Sequence, residues 1–147
     1  PIAEESRLAE AIGAGADLTV GSRLVADGRT RRSRNWLRGM AGCAFAASAR
    51  GLLGLSVRDT QCGFKMFRRD VGHRLFSLLQ EPGYLFDLEV LALAHKLGYR
   101  IAEVPVNWTE VPGGHLSLAR EFPKVFAALW RLRRVQANCA PDGSPVR

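Results

Sequence analysis

The chain has 147 residues, 47% of them hydrophobic and 24% charged. That length and balance suit one globular domain with a real core, and they exclude a chain that is disordered throughout. The formal net charge is +7, and the excess is local: Arg23, Arg29, Arg31, Arg32, Arg34 and Arg38 share one stretch with a single acid, Asp27, while Arg131, Arg133 and Arg134 form a second cluster.

Such clusters suit polyanions, whether nucleic acid, nucleotide diphosphates or an anionic lipid surface, and charge alone does not choose among them. The cysteines are Cys43, Cys62 and Cys139. They contain no Cys-x-x-Cys and make no ligand spacing with His73, His95 or His115, which argues against zinc and for free thiols in a reducing cytoplasm. No stretch of the given sequence reads as a signal peptide, and its first residue is not Met. The chain begins at Pro1 inside what reads as a helix, as expected of a fragment.

The first expected element is a helix from Pro1 to Ala14, with Ile2, Leu8, Ala11 and Ile12 on one face and Gly13 and Gly15 as its stop. Asp17 to Gly21 reads as a short strand leading into a Gly-Ser-Arg turn, the rhythm of an α/β sheet. Leu24 to Ser33 reads as an arginine-rich loop. A long helix follows over about Trp36 to Leu53, capped by Ser33 or Asn35. The run Trp36 to Leu55 is long enough to cross a bilayer, but its Arg38 and Arg50 and its Gly and Ala content make it a buried or interfacial helix instead.

Ser56 to Thr60 is a connection, and Cys62 to Phe67 alternates weakly as a strand. Asp70 is expected to cap a helix to about Leu79, and Pro82-Gly83 to turn the chain. Phe86 to Leu97 is the strongest helix, with Leu88, Leu91, Ala92 and His95 on one face and Gly98 as its stop. Tyr99 to Val106 reads as a strand with Pro105 at an edge or an end. Val111 to Leu118 is a loop. Phe122 to Val135 is an amphipathic helix with a basic end, and residues 136–147 form a loose tail.

Several positions invite chemistry. Arg23 follows a strand end and a small-residue turn, a place from which a guanidinium meets a diphosphate in bidentate geometry. The alternative is a solvated loop arginine. Asp59 and Gln61 stand just before Gly63, which permits close backbone approach. The alternative for Asp59 is a turn acid capping its own backbone. Cys62 reads as a small, buried, inert residue. Asp87 and Glu89, two residues apart, do not share a helix face. Asp87 is either a reacting acid or an N-terminal helix cap. The apolar residues of the last helix, with Trp130 among them, either pack or touch a membrane surface.

Four segments together resemble one family. They are Val20-Gly21-Ser22-Arg23, Asp59-Thr60-Gln61-Cys62-Gly63-Phe64-Lys65, Phe86-Asp87-Leu88-Glu89, and Val104 to Glu110 followed by Gly113-Gly114. In this order they resemble the second half of dolichyl-phosphate glucosyltransferases and mannosyltransferases of glycosyltransferase family 2, over about Pro1 to Arg134. Asp-Thr-Gln-Cys-Gly-Phe-Lys and Val-Asn-Trp-Thr-Glu are nearer to the glucosyl branch.

The resemblance implies an α/β fold, the C-terminal portion of a GT-A domain with a mixed sheet and flanking helices. Residues 1–135 would be its acceptor-side half. The nucleotide-binding half, with its Asp-x-Asp motif, would precede Pro1. It implies inverting transfer of a sugar, glucose from UDP-glucose, to a polyprenyl or dolichyl phosphate. The enzyme would depend on Mg²⁺ or Mn²⁺ held mainly by residues outside this chain, and would sit at the cytoplasmic face of a membrane.

By position, Asp87 and Asp59 would be the catalytic acids. Ser22, Arg23, Arg31, Arg34 and Lys65 would meet donor or lipid phosphate. Gln61, Gly63, Glu89 and His115 would lie on the acceptor side. Phe86 stands where the family's first acid is found, and Gly113-Gly114-His115 stands where Gly-Ser-Lys is common. A phosphate monoester, with its second pKa at about 6, is already anionic near neutrality and attacks without a base, so a reduced acid pair suits it. A basic nucleic-acid-binding module and a non-catalytic interaction module are the competing readings. Against the first, the aromatics are not interleaved with the arginines.

Overall fold

A computed structural model describes residues 2–25, 32–33, 47–80, 85–109 and Trp130. A 3-10 turn at Ile2–Glu4 leads into α1 (Glu5–Gly13), followed by β1 (Leu18–Ser22) and β2 (Arg32–Ser33). Residues 47–53 are helical (α2). Next come β3 (Lys65–Phe67), α3 (Arg69–Leu78), α4 (Phe86–Lys96), β4 (Ile101–Pro105) and β5 (Trp108–Thr109).

Three strands form one mixed sheet in the order β3-β1-β4, with β1 antiparallel to β3 and parallel to β4. β1 is buried along its whole length, as the middle strand of a sheet covered on both faces. One face of the sheet packs on α1, where Leu8 meets Val104 and Val106 beside Met66. The opposite face carries the main core: Leu18 and Val20 from β1 pack with Ala49, Leu53, Val57, Val71, Leu75, Leu88 and Leu91. A second, two-stranded sheet joins β2 to β5 in parallel, Arg32 opposite Trp108 and Ser33 opposite Thr109.

α1, α2 and α4 stop at glycines that chain chemistry favours, whereas α3 ends in extended chain at Leu79. Gly15, Gly54 and Gly98 have φ of +97°, +68° and +75°. After α1, the Gly15 N–H bonds to the Ile12 carbonyl and the Ala16 N–H to the Ala11 carbonyl. After α4, Gly98 and Tyr99 repeat the pattern on His95 and Ala94. These paired bonds satisfy carbonyls that a helix end leaves over.

Several expectations change. Ile2, in the 3-10 turn before α1, is 84% exposed, and Leu8 alone of the expected α1 face is fully buried. Asp70 does not cap α3. Arg68 holds the cap position, and Asp70 lies in the first turn, paired with the Arg68 guanidinium. α4 is not one-sided: every residue from Leu88 to Ala94 is buried and His95 is exposed, because this helix runs through the centre of the core. The strand expected over Cys62 to Phe67 is only its last three residues. Within the expected loop Leu24 to Ser33, Arg32 and Ser33 form β2. Of the expected helix Trp36 to Leu53, residues 47–53 are described. Of Phe122 to Val135, only Trp130 is, helical and half-exposed. The tail 136–147 lies outside the described residues.

Candidate functional site

β1 and β4 run in the same direction, so Arg23, one residue past β1, and Val106, one past β4, leave the sheet at the same end. β3 runs the other way, which brings the turn before it, residues 59–64, to that end too. The crevice beyond the carboxyl ends of parallel strands is where open α/β sheets bind ligands, since loops there surround a space that the sheet itself does not fill.

Arg23 and Asp59 form the tightest junction at this end. Arg23 Nε donates to Asp59 Oδ2 and Nη2 to Oδ1, each at 2.8 Å, and the Arg23 backbone N–H adds a third bond of 2.8 Å to Oδ2. A planar fork meeting both oxygens of a carboxylate fixes the guanidinium plane as well as its position. Asp59 is 3% exposed, whereas the Arg23 side chain is 29% exposed. Asp59, expected as a catalytic acid, therefore has both oxygens engaged by Arg23 and is placed to orient it. Ser22 is buried, and its Oγ accepts the N–H groups of Leu24 and Val25 at 3.2 and 3.1 Å. Its hydroxyl thus shapes the turn that carries Arg23.

A second junction lies on the other side of Val20. Lys65 Nζ donates to Asp87 Oδ1 and to the Cys62 carbonyl, both at 2.6 Å. The Lys65 side chain is 5% exposed and that of Asp87 25%. Lys65, expected to meet phosphate, is thus buried against Asp87. Asp87 makes no capping bond in α4 and directs its carboxylate to Lys65 instead.

Glu89 points elsewhere, as the spacing required. It is 2% exposed, and both its oxygens accept the Gln80 N–H, at 3.2 and 3.1 Å. Burial pushes its carboxyl above the ordinary glutamate value. Burial likewise raises the Cys62 thiol, in keeping with an inert residue that is 2% exposed.

Between the two junctions, Thr60 Oγ1 and Gln61 Nε2 are buried without a hydrogen-bond partner among the described residues. Gly63 is exposed, and a Cβ placed on it would meet nothing within 4 Å, so packing among the described residues does not require a glycine there. The close approach occurs instead at Gly21, where a Cβ would lie 3.1 Å from the Phe64 ring and 3.2 Å from the Phe64 carbonyl oxygen. Arg31, Arg34 and His115 lie outside the described residues.

Glu103 was not among the expected site residues. Its Oε2 accepts the Arg58 N–H at 2.9 Å and its Oε1 the Asp59 N–H at 2.8 Å. The available signal was one acid inside an otherwise apolar strand run, Ile101 to Val106.

The described residues do not fit a divalent-metal site. No three His, Cys, Asp or Glu side chains among them converge as ligands, and Asp59 and Asp87 are bound to Arg23 and Lys65. No helix among the described residues is long and apolar enough to cross a membrane.

The chain is similar to known polyprenyl-phosphate glycosyltransferases. It is 43% identical over 83 residues to a dolichyl-phosphate beta-glucosyltransferase of Dictyostelium discoideum, covering 56% of this chain and 25% of that one. It is 48% identical over 60 residues to the Homo sapiens enzyme of that name, covering 41% and 18%. A polyprenol monophosphomannose synthase of Mycolicibacterium smegmatis is 36% identical over 108 residues, 73% of this chain and 40% of that protein. The matches thus span well under half the length of these relatives. No protein-family model matches the chain, and no solved structure does.

Proposed function

We propose that the whole protein is a family 2 glycosyltransferase of GT-A fold that moves glucose from UDP-glucose to a polyprenyl phosphate with inversion. In this reading, residues 1–135 supply its acceptor side and residues 136–147 a flexible tail. The carrying observation is the Arg23–Asp59 pair at the carboxyl end of the parallel strands, in a chain whose relatives bear dolichyl-phosphate beta-glucosyltransferase and polyprenol monophosphomannose synthase names.

The reaction breaks the bond from the sugar's anomeric carbon to the donor diphosphate and forms one to an oxygen of the acceptor phosphate. The acceptor monoester is anionic above its second pKa of about 6, so no proton has to be removed. The protein's work is then to position two anions and to stabilise the departing diphosphate. Arg23, its plane set by Asp59, is assigned to the diphosphate. Asp87, held by Lys65 at one oxygen and partly exposed, is the acid assigned to the substrate side. Lys65 acts through Asp87. Gln61 and Gly63 are assigned to the acceptor side.

The proposed Mg²⁺ or Mn²⁺ requirement rests on ligands outside the described residues. The proposed location is the cytoplasmic face of the membrane that holds the lipid, with Trp130 on a helix that touches its surface. Nucleic acid is not a proposed partner, and this chain by itself is expected to be inactive. Incubating the complete protein with radiolabelled UDP-glucose and polyprenyl phosphate tests the reading. A labelled lipid-phosphate sugar is expected. No such product from any common nucleotide sugar would overturn it.

A further inference from the structure

Val20, in the middle strand, has Lys65 of β3 as its partner on one side and Glu103 of β4 on the other. Partners across a sheet share a face, so Lys65, Val20 and Glu103 form one transverse row on the side of the main core. Both charged ends of that row hold the same segment. Glu103 accepts the N–H groups at its beginning, those of Arg58 and Asp59. Lys65 donates to a carbonyl at its end, that of Cys62. Residues 58–62 are therefore strapped across the row by an acid that takes donors and a base that takes an acceptor.

The strap carries Asp59, and Asp59 carries Arg23. Glu103 thus closes a circuit: β4 pairs with β1, β1 delivers Arg23, Arg23 is gripped by the Asp59 carboxylate, and the Asp59 N–H returns to β4 through Glu103. One carboxylate taking two successive backbone N–H groups fixes the orientation of two consecutive peptide groups, because each oxygen is tied to a different donor. The Cα that bears the Asp59 side chain follows directly on the second of them.

We propose that Glu103 is a positioning residue for Arg23, and through it for the donor diphosphate of the proposed reaction; this rests on the glycosyltransferase reading above. Glu103 touches no substrate. It sets the height and tilt of Asp59 against β1, and so the plane in which Arg23 presents its guanidinium.

The test uses the complete protein carrying Glu103→Gln. The amide oxygen of that side chain accepts from one N–H, and its NH₂ group opposes the other. The first readout is hydrogen exchange at Arg23 Nε–H followed by nitrogen-15 NMR, which needs no activity. Exchange about ten-fold faster than in the unchanged protein is expected, as for one lost charge-assisted bond. A Leu91→Val variant, chosen to lower the thermal midpoint without removing any hydrogen bond of the strap, should leave it unchanged. The second readout is transfer kinetics: the KM for nucleotide sugar should rise about ten-fold while kcat moves less, and the effect should not add to that of Asp59→Asn. Glu103→Asp, which keeps the charge but withdraws it by one methylene, is a second probe whose exchange should also quicken. Unchanged Arg23 Nε–H exchange in both Glu103 variants, or equal quickening in Leu91→Val, would overturn the proposal. If no variant and no unchanged protein transfers sugar, the glycosyltransferase reading falls, while the exchange result still decides the link from Glu103 to Arg23.

Discussion

Lys65 Nζ lies 2.6 Å from Asp87 Oδ1 and 2.6 Å from the Cys62 carbonyl oxygen, so one buried ammonium joins the start of β3 to the first turn of α4. Two sequence segments 22 residues apart thereby become one site. The pair also sets the direction of Asp87, which a helix start alone leaves free.

Replacing Asp87 by Asn retains an oxygen for Lys65 and removes the charge. If the acceptor is a phosphate, no base is lost, and the drop in kcat should stay below the roughly 100-fold that marks loss of general base catalysis. The acid limb of the rate profile should remain at about pH 6, where the acceptor monoester takes its second proton. Steady-state transfer rates across pH check both points. Lys65→Met should lower activity at least as much as Asp87→Asn, because it removes the bond to the Cys62 carbonyl as well as the contact with Asp87, and the double variant should be no worse than Lys65→Met alone.

Arg23 and Asp59 should differ in their cost to stability. Arg23→Met leaves Asp59, 3% exposed, with a buried charge that has lost its guanidinium. A loss of about 3 kcal/mol is expected for such an orphaned ion. Asp59→Asn retains an acceptor and leaves the charge on the more exposed partner, so it should cost less. Urea unfolding of the two variants measures the order, and equal losses would contradict it.

Glu89 makes stability depend on pH. Its unfolded value is near 4.5, and burial raises the folded one, so the folded state holds the proton more tightly. The stabilising contribution is fully present below about pH 4.5 and is lost as pH rises through the folded value. Glu89→Gln keeps an acceptor for the Gln80 N–H and removes the titration. The thermal midpoint of the variant should gain on the unchanged protein as pH rises from about 4 to 8, and a constant difference would sink the assignment.

Two glycines offer a contrast. Gly21→Ala should destabilise, because the added carbon meets the Phe64 carbonyl oxygen at 3.2 Å and backbone does not yield cheaply. Gly63→Ala meets nothing within 4 Å, and Gly63 does not have a positive φ. It should leave the thermal midpoint unchanged while raising the KM for polyprenyl phosphate, if the open space there belongs to the acceptor. Calorimetry and acceptor-dependent kinetics separate the two effects.

Local rules made much of the fold legible. Gly15 and Gly98 end their helices where helix chemistry demands a left-handed residue. β1 was marked by its apolar run, and the separation of Asp87 from Glu89 by helical geometry. What local rules misjudged were consequences of packing. α4 looks one-sided by period but is buried from Leu88 to Ala94, because helices and sheet surround it. Asp70 has the chemistry of a cap, yet Arg68 draws it into an ion pair.

The sequence alone determined which residues carry charge, where the chain turns, and the ordered motifs from Val20 to Glu110 that resemble the polyprenyl-phosphate transferases. Only the tertiary structure decided what Arg23, Asp59, Lys65, Asp87 and Glu103 are to one another. Those relations depend on strand register, with Val20 between Lys65 and Glu103, and register is fixed by which residues of β1 face the main core and which face α1. A charge's role follows from its neighbour in space: Asp59 became the holder of Arg23, and Lys65 the holder of Asp87, once the sheet had brought them together.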